Sequence, residues 1–320
     1  MLPIDVLAAH NIALAEELKR DQELQEVYAE LKRLDPTGER CATVLRNTID
    51  QLLNGEATGR YDWKTLYKTE RTHAGTLVEI NLQRDFGFDD GTAMDYRIAG
   101  VEVDCKYSQK LGGWMIPPEA RGHLCLLMWA DDYESCWSAG LFRVREEWLN
   151  RGSNRDAKHT IRAQHMDKIA WLWHRAALPE NVLLHMNPAD REAVFAPRSG
   201  QQRLNELFRR VQQRRISRNV IRTVAQQKDY MKRARGNGGS RSALQGEGIL
   251  IMGDYDSHRA VAEQLGLPSP REGEFVSVRV ARLRPHHGNA RHVVLDGEPW
   301  VIATADDAPE PAPSLPSHTK

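Results

Sequence analysis

The chain lacks any apolar run long enough to cross a membrane. Its longest strongly apolar stretch, Leu124 to Ala130, falls far short of the ~20 residues a spanning helix needs. The first twenty residues carry Asp5, Glu16 and Glu17 and no basic n-region. No secretory leader is read there, and a cytoplasmic protein is expected. Cysteine is scarce: Cys41, Cys105, Cys125 and Cys136 show no CxxC spacing and no accompanying pair of histidines. That excludes a disulfide framework, argues against structural zinc and leaves reduced thiols. Net charge is missing too, with 44 Lys+Arg balancing 44 Asp+Glu, and a zero total would by itself argue against a nucleic-acid partner. What remains, at 41% hydrophobic and 28% charged over 320 residues, is an ordinary globular composition of about two domains.

The zero conceals an asymmetry. Residues 1–150 hold 17 Lys+Arg against 26 Asp+Glu, and residues 201–250 hold 12 against 3. An acidic half is often only solvated surface, but a net −9 block followed by a concentrated +9 block suggests two functions on one chain.

Periodicity gives the organisation. Helical spacing runs to about Leu53, through Leu14, Leu18, Leu24, Val27 and Leu31, with a turn at Asp35-Pro36-Thr37-Gly38 and a second helix from Thr43. A third helix is expected from about Gly75 to Phe86. Strand-like alternation follows over 94–107, then strands at His123–Trp129 and Trp137–Val144. The domain reading is 1–180 for a first, α/β (or α+β) domain, 181–202 for a linker marked by Pro188, Pro197 and Ser199-Gly200, and 203–304 for a second domain that opens with a mostly helical basic region, 203–245. That domain ends in strands near Phe275–Leu283 and His292–Val301. A Pro-rich tail, 305–320, is expected to be disordered.

Chemistry concentrates in Met94-Asp95-Tyr96-Arg97-Ile98-Ala99-Gly100-Val101-Glu102-Val103-Asp104-Cys105-Lys106. A two-residue turn at Ala99-Gly100 pairs Ile98 with Val101, Arg97 with Glu102, Tyr96 with Val103 and Asp95 with Asp104. Alternation puts Tyr96, Ile98, Val101, Val103 and Cys105 on a core face and Asp95, Arg97, Glu102, Asp104 and Lys106 on the other. Opposed carboxylates repel unless a cation lies between them, and Mg²⁺, a hard ion bound by one or two carboxylates plus phosphate, is the natural occupant. Lys106 is placed to orient a water, and Glu79 on the preceding helix offers a third carboxylate. The plain alternative is a solvated polar face with an Arg97–Glu102 cross-strand pair.

The basic segment reads as helix, turn, helix. Leu204, Leu207, Phe208 and Val211 form one apolar stripe. Ile216-Ser217 opens a second helix that buries Val220, Ile221 and Val224 and turns Arg218, Arg222 and Gln226 outward. Gln227, Lys228, Lys232, Arg233, Arg235 and, after a Gly-rich turn at 236–240, Arg241 complete a set of DNA-contact candidates. A cationic face that docks on the acidic half is the competing reading. His286-His287 and Asp131-Asp132 are read as loop residues, not metal sites.

Asp95, Asp104 and Lys106 resemble the PD-(D/E)xK nuclease motif, with Met94 at the motif's proline position. Longer strings are similar to the NaeI-type (type IIE) restriction endonucleases: Thr69-Glu70-Arg71-Thr72-His73, Gly75 to Leu82, Ile98 to Lys106, Pro117-Pro118-Glu119, Gly122-His123, Asn205 to Val211, Thr223 to Gln227 and Met231-Lys232-Arg233. The resemblance runs from about Leu34 to Val301. It implies a restriction-endonuclease-like N-terminal domain and a winged-helix, catabolite-activator-like C-terminal domain. It also implies a Mg²⁺-dependent homodimer that makes double-strand breaks in DNA when a second copy of the site is bound. By position, Glu79, Asp95, Asp104 and Lys106 match the family's catalytic residues, and Glu79, Asp95, Asp104 and the Cys105 carbonyl its metal ligands. The implied site is GCCGGC, cut to blunt ends, with a cognate DNA methyltransferase in the host. A repair nickase and a non-cleaving DNA-binding regulator are the other readings.

Overall fold

The computed structural model describes residues 20–151, 156–235 and 238–316. They form two compact units, one comprising the chain up to Leu52 with Leu66–Glu180, the other Leu53–Thr65 with the chain from Asn181 on. Each unit carries its own sheet, so the architecture is mixed α/β.

Helix α1 (Gln22–Leu34) starts where the Asp21 carboxylate accepts the Leu24 N–H at 3.1 Å, and it buries Leu24, Val27 and Leu31. Leu14 and Leu18 of the expected first helix lie outside the described residues. The turn to α2 (Glu39–Leu53) is built on Asp35, whose carboxylate accepts from Gly38 N (2.9 Å) and Cys41 N (2.8 Å). Gly38 has φ +82 and lies against the Trp173 and Trp137 rings, where a side chain has no room. After the short α3 (Gly55–Thr58), which belongs to the second unit, α4 covers Lys68–Phe86. It begins seven residues before the expected Gly75, because Glu70 folds back onto the Tyr67 N–H at 2.7 Å and caps it. Val78, Leu82 and Phe86 are its buried stripe.

The first sheet has six strands in chain order: β1 (Asp89–Asp90), β2 (Tyr96–Ile98), β3 (Val101–Ser108), β4 (Leu124–Asp131), β5 (Cys136–Arg143) and β6 (Ala170–Ala177). All neighbours are antiparallel except β3 and β4. In β4 and β5 the first seven residues of each are buried. Cover on both faces explains why they read as continuous apolar runs instead of alternation.

The second unit packs α5 (Val182–His185), α6 (Pro188–Phe195), α7 (Gly200–Arg210), α8 (Arg218–Ala225), α9 (Tyr230–Arg235) and α10 (Ser240–Gln245), together with α3, beside a five-stranded sheet. That sheet comprises β7 (Arg215–Ile216), β8 (Ile249–Met252), β9 (Phe275–Arg282), β10 (His292–Leu295) and β11 (Glu298–Ile302). Strand β9 is its spine and pairs with β7, β8 and β11. Helix α11 (Asp256–Gln264) lies between β8 and β9 in sequence.

Three stretches carry more structure than the sequence pattern suggests. Residues 181–202, expected as a linker, hold helices α5 and α6. Asn187 caps α6 through the Ala189 N–H and Pro188 is its first residue, a position where proline favours a helix start. Val182, Leu183, Met186 and Val194 join the core. The single strand expected over His292–Val301 is a hairpin that turns at Asp296-Gly297, both with positive φ. The tail is ordered over its described part, to residue 316. Ala312 is buried, donates to the Gln245 carbonyl (2.8 Å) and accepts from the Gln245 amide (3.1 Å). Its prolines prevent a helix but suit an extended strap that offers few N–H donors.

Candidate active site

The hairpin has the register that the sequence suggests: Tyr96 faces Val103, Arg97 faces Glu102 and Ile98 faces Val101. Its turn takes positive φ at both residues, Ala99 (+52) and Gly100 (+81), the pattern of a tight hairpin turn whose twist matches the strands. Tyr96, Ile98, Val103 and Cys105 are buried as expected. Asp104, placed on the polar face, is buried as well, because β4 lies alongside β3 and sets Cys125 against it. The Cys125 thiol donates to Asp104 Oδ2 at 3.2 Å.

Asp95, Asp104 and Lys106 meet. Lys106 Nζ lies 2.6 Å from Asp104 Oδ1, 2.8 Å from the Cys105 carbonyl oxygen and 3.4 Å from Asp95 Oδ2. Asp95 Oδ2 also accepts the Cys105 N–H at 2.7 Å. Three oxygens, two from β3 and one from the residue just ahead of β2, thus converge on one cationic nitrogen, and this is a donor set that a hard divalent ion can use. Burial works to lower the Lys106 pKa, but the Asp104 charge and hydrogen bond, with Asp95 behind them, outweigh it and hold the ammonium firmly protonated. Burial pushes the Asp104 carboxyl above its ordinary range, with Lys106 pulling the other way.

Glu79 stands on α4, one residue past the buried Val78, and the Tyr96 hydroxyl ties that helix to β2 by donating to the Glu79 carbonyl at 2.6 Å. The Glu79 carboxyl is raised, first by burial and then by the negative field of Asp95, against the pull of Lys106. A third carboxylate whose charge is opposed by two others is one that a bound cation would stabilise.

Glu102 stands opposite Arg97 in the ladder, but the hydrogen bonds of its carboxylate go to the backbone and not to the Arg97 partner of the plain alternative. Its carboxylate accepts the successive N–H groups of Thr92 (2.8 Å), Ala93 (3.0 Å) and Met94 (2.8 Å). These backbone bonds hold its pKa down to about 2. Sequence reasoning missed this because nothing in a strand pattern tells where a preceding loop folds back.

The basic candidates divide by their contacts. Gln226, Lys228, Lys232 and Arg235 are exposed, and Gln226 ends α8 in a left-handed conformation. Arg218 is exposed with its Nε donating to the Tyr230 hydroxyl (2.8 Å), and Arg222 pairs with Glu56 of α3 at 2.9 Å. Arg233 pairs with Asp229 at 2.8 Å, and Arg235 reaches the Tyr255 hydroxyl at 3.1 Å. Gln227 is half-buried with its carboxamide oxygen unpartnered. Arg241 turns inward and donates to the Ile251 carbonyl at 3.0 Å. Burial lowers its pKa. Of the 236–240 turn, Gly236 and Asn237 lie outside the described residues.

The residues read as loop polar groups have structural partners. Asp132 and Asp50 flank the buried Arg46 in ion pairs. His286 and His287 each approach Asp307 at 3.0 Å through Nε2. The Arg284 N–H donates to His287 Nδ1 at 2.9 Å. The ligand atoms of His286, His287 and Asp307 lie within 4.8 Å of one another, so the three side chains form a compact cluster of the kind that could hold a metal ion, which the reading of His286-His287 as plain loop residues did not anticipate.

Residues 25–311 match the family model described as restriction endonuclease NaeI. The match defines the class: the protein is a type II restriction enzyme, a site-specific deoxyribonuclease. Over 304 residues the chain is 47% identical to the type II restriction enzyme NaeI of Lentzea aerocolonigenes, covering 92% of this chain and 95% of that relative. The chain belongs to the NaeI restriction endonuclease family. The readings as a repair nickase and as a non-cleaving regulator give way to this assignment. Among the described residues no helix is long and apolar enough to cross a membrane.

Proposed function

We propose that the enzyme makes Mg²⁺-dependent double-strand breaks in DNA at a specific site, with Glu79, Asp95, Asp104 and Lys106 as its catalytic residues. The observation that carries this is the convergence of Asp95, Asp104 and the Cys105 carbonyl on Lys106 Nζ within 3.4 Å, with the Glu79 carboxyl in the field of the same three charged groups. Mg²⁺ held by Asp95, Asp104, Glu79 and the Cys105 carbonyl would polarise the scissile phosphate and stabilise the leaving oxygen. Lys106, beside the same oxygens, would position the attacking water and lower its pKa. In-line attack then leaves 5′-phosphate and 3′-hydroxyl ends.

On the same reading, the first unit is a restriction-endonuclease-like domain. The second is a winged-helix-type module that binds a further DNA copy and activates cleavage, the type IIE arrangement, in a homodimer. The exposed Lys228, Lys232 and Arg235, with Arg218, Arg222 and Arg233 on α8 and α9, Gln226 and Gln227 in the turn between those helices, and Arg241 on α10, support DNA binding there. GCCGGC cut to blunt ends is the proposed site, and a methyltransferase modifying it is the proposed host partner. Incubating Asp104→Ala with plasmid and Mg²⁺ tests the chemistry. Loss of all cleavage with DNA binding retained in Ca²⁺ is expected, and an active variant would overturn it. Mapping the fragment ends of the unaltered enzyme tests the site.

A further inference from the structure

We infer that Glu102 is a positioning residue: it locks the 91–94 loop and so sets the backbone from which Asp95 reaches the metal-binding cluster. The inference rests on the reading of Asp95 as a metal ligand.

Three successive peptide N–H groups, of Thr92, Ala93 and Met94, converge on one Glu102 carboxylate, with four contacts between 2.8 and 3.1 Å. Such a run of N–H groups around an oxygen anion is a nest, and here the anion is supplied by the chain itself. Gly91 opens the loop under a tight constraint. A Cβ there would stand 2.1 Å from the Met94 carbonyl oxygen and 2.9 Å from Glu102 Oε2. The loop therefore closes on Glu102 only because residue 91 has no side chain. The Gly91 N–H points at the Asp95 carbonyl (3.4 Å) and closes the ring on the far side.

Asp95 follows immediately. Its backbone lies ahead of β2, so no ladder pairing fixes it. Besides the Gly91 contact and Lys106 Nζ at 3.4 Å, two anchors hold it. One is the Cys105 N–H on Asp95 Oδ2 (2.7 Å), and the other is the loop held by Glu102. Both of these come from β3, the strand that also supplies Asp104 and Lys106. One strand thus sets the spacing between Asp95 and the cluster's oxygens in β3. A loop left free would sample many conformations, and the Asp95 carboxylate would spend less time at the distance a cation needs.

The Glu102 carboxylate is engaged by the Thr92, Ala93 and Met94 N–H groups and not by Asp95 or Lys106, so its loss should weaken metal binding without removing a ligand. Three full-length variants test this: Glu102→Ala, the near-isosteric Glu102→Gln, and Gly91→Ala, which presses on the same loop from the other side. The first readout needs no catalysis and is the Ca²⁺ concentration that half-saturates the rise in Tm. The second is the Mg²⁺ concentration that half-saturates cleavage. Glu102→Ala and Gly91→Ala should each raise both concentrations about tenfold or more, the scale of outer-shell changes. Saturating Mg²⁺ should restore most of kcat. Glu102→Gln keeps one good acceptor and should fall between. A role confined to stability would lower Tm in EDTA and leave both half-saturation values alone. Unchanged values in Glu102→Gln and Gly91→Ala would overturn the inference even if Glu102→Ala fails to fold. Asp104→Ala, run alongside, separates the two ideas. If it is inactive while the loop variants bind metal normally, only the positioning role falls; if it cleaves, the underlying site reading falls.

Discussion

A carboxylate that is uncomfortable in the absence of a cation leaves a measurable trace at the level of single residues. The Glu79 carboxyl is raised by burial and by Asp95. Its folded pKa therefore exceeds its unfolded value, and it opposes folding above the unfolded pKa, with the penalty growing as pH rises through the folded one. Glu79→Gln should raise the Tm of the metal-free enzyme at pH 7, by a small amount because the half-exposed carboxylate is partly screened by solvent. The gain should vanish near pH 4, where wild-type Glu79 is already protonated. Melting in EDTA at the two pH values checks both signs. In wild type, by contrast, Ca²⁺ should raise Tm because binding favours the folded state, by about 2.7 kcal/mol at a hundred times Kd. The identities of Glu79, Asp95, Asp104 and Lys106 as a candidate set were legible in the sequence, because alternation and a two-residue turn are short-range rules. The role of Glu102 was not, since its partners at 92–94 belong to no periodic pattern.

Elements were read best where the pattern was local and worst where ends or covers were tertiary. The β2–β3 register followed from Ala99-Gly100, and the Ser217 cap of α8, accepting the Val220 N–H, from its serine. The start of helix α4 carries no apolar periodicity because its first turns are largely polar, and the prolines around α6 resemble linker signals. The docking of α3 on α8 had no sequence signal at all. Gly55 lies so close that a Cβ would sit 1.9 Å from Thr223 Oγ1. Gly55→Ala should therefore destabilise the second unit by about 1–3 kcal/mol, the usual cost of overpacking. The accompanying Thr223→Ala should recover part of it. Thermal denaturation of the single and double variants decides this, and a neutral Gly55→Ala would show that the helices separate more readily than their packing suggests.

For the whole molecule, zero net charge is the sum of an acidic first half and a basic block at 201–250, so the total says nothing about binding. If Lys228, Lys232 and Arg235 face phosphates, replacing all three by Ala should weaken DNA binding in Ca²⁺. It should also flatten the slope of log K against log salt by about 2–3, near one unit per phosphate contact. Titrations of the full-length enzyme at several salt concentrations measure it, and an unchanged slope would place the DNA elsewhere. The sequence by itself determined the helix and strand periodicities, the hairpin turn, the charge asymmetry and the residue types of the candidate site. These depend on neighbours within a few positions. Only the tertiary structure decided that Asp104 is buried beside Cys125, that Glu102 holds the loop ahead of Asp95, that Arg241 turns inward to Ile251, and that the proline-rich strap packs through Ala312. Each depends on a partner from outside the local repeat, where burial and hydrogen-bond supply are set by what the fold brings alongside.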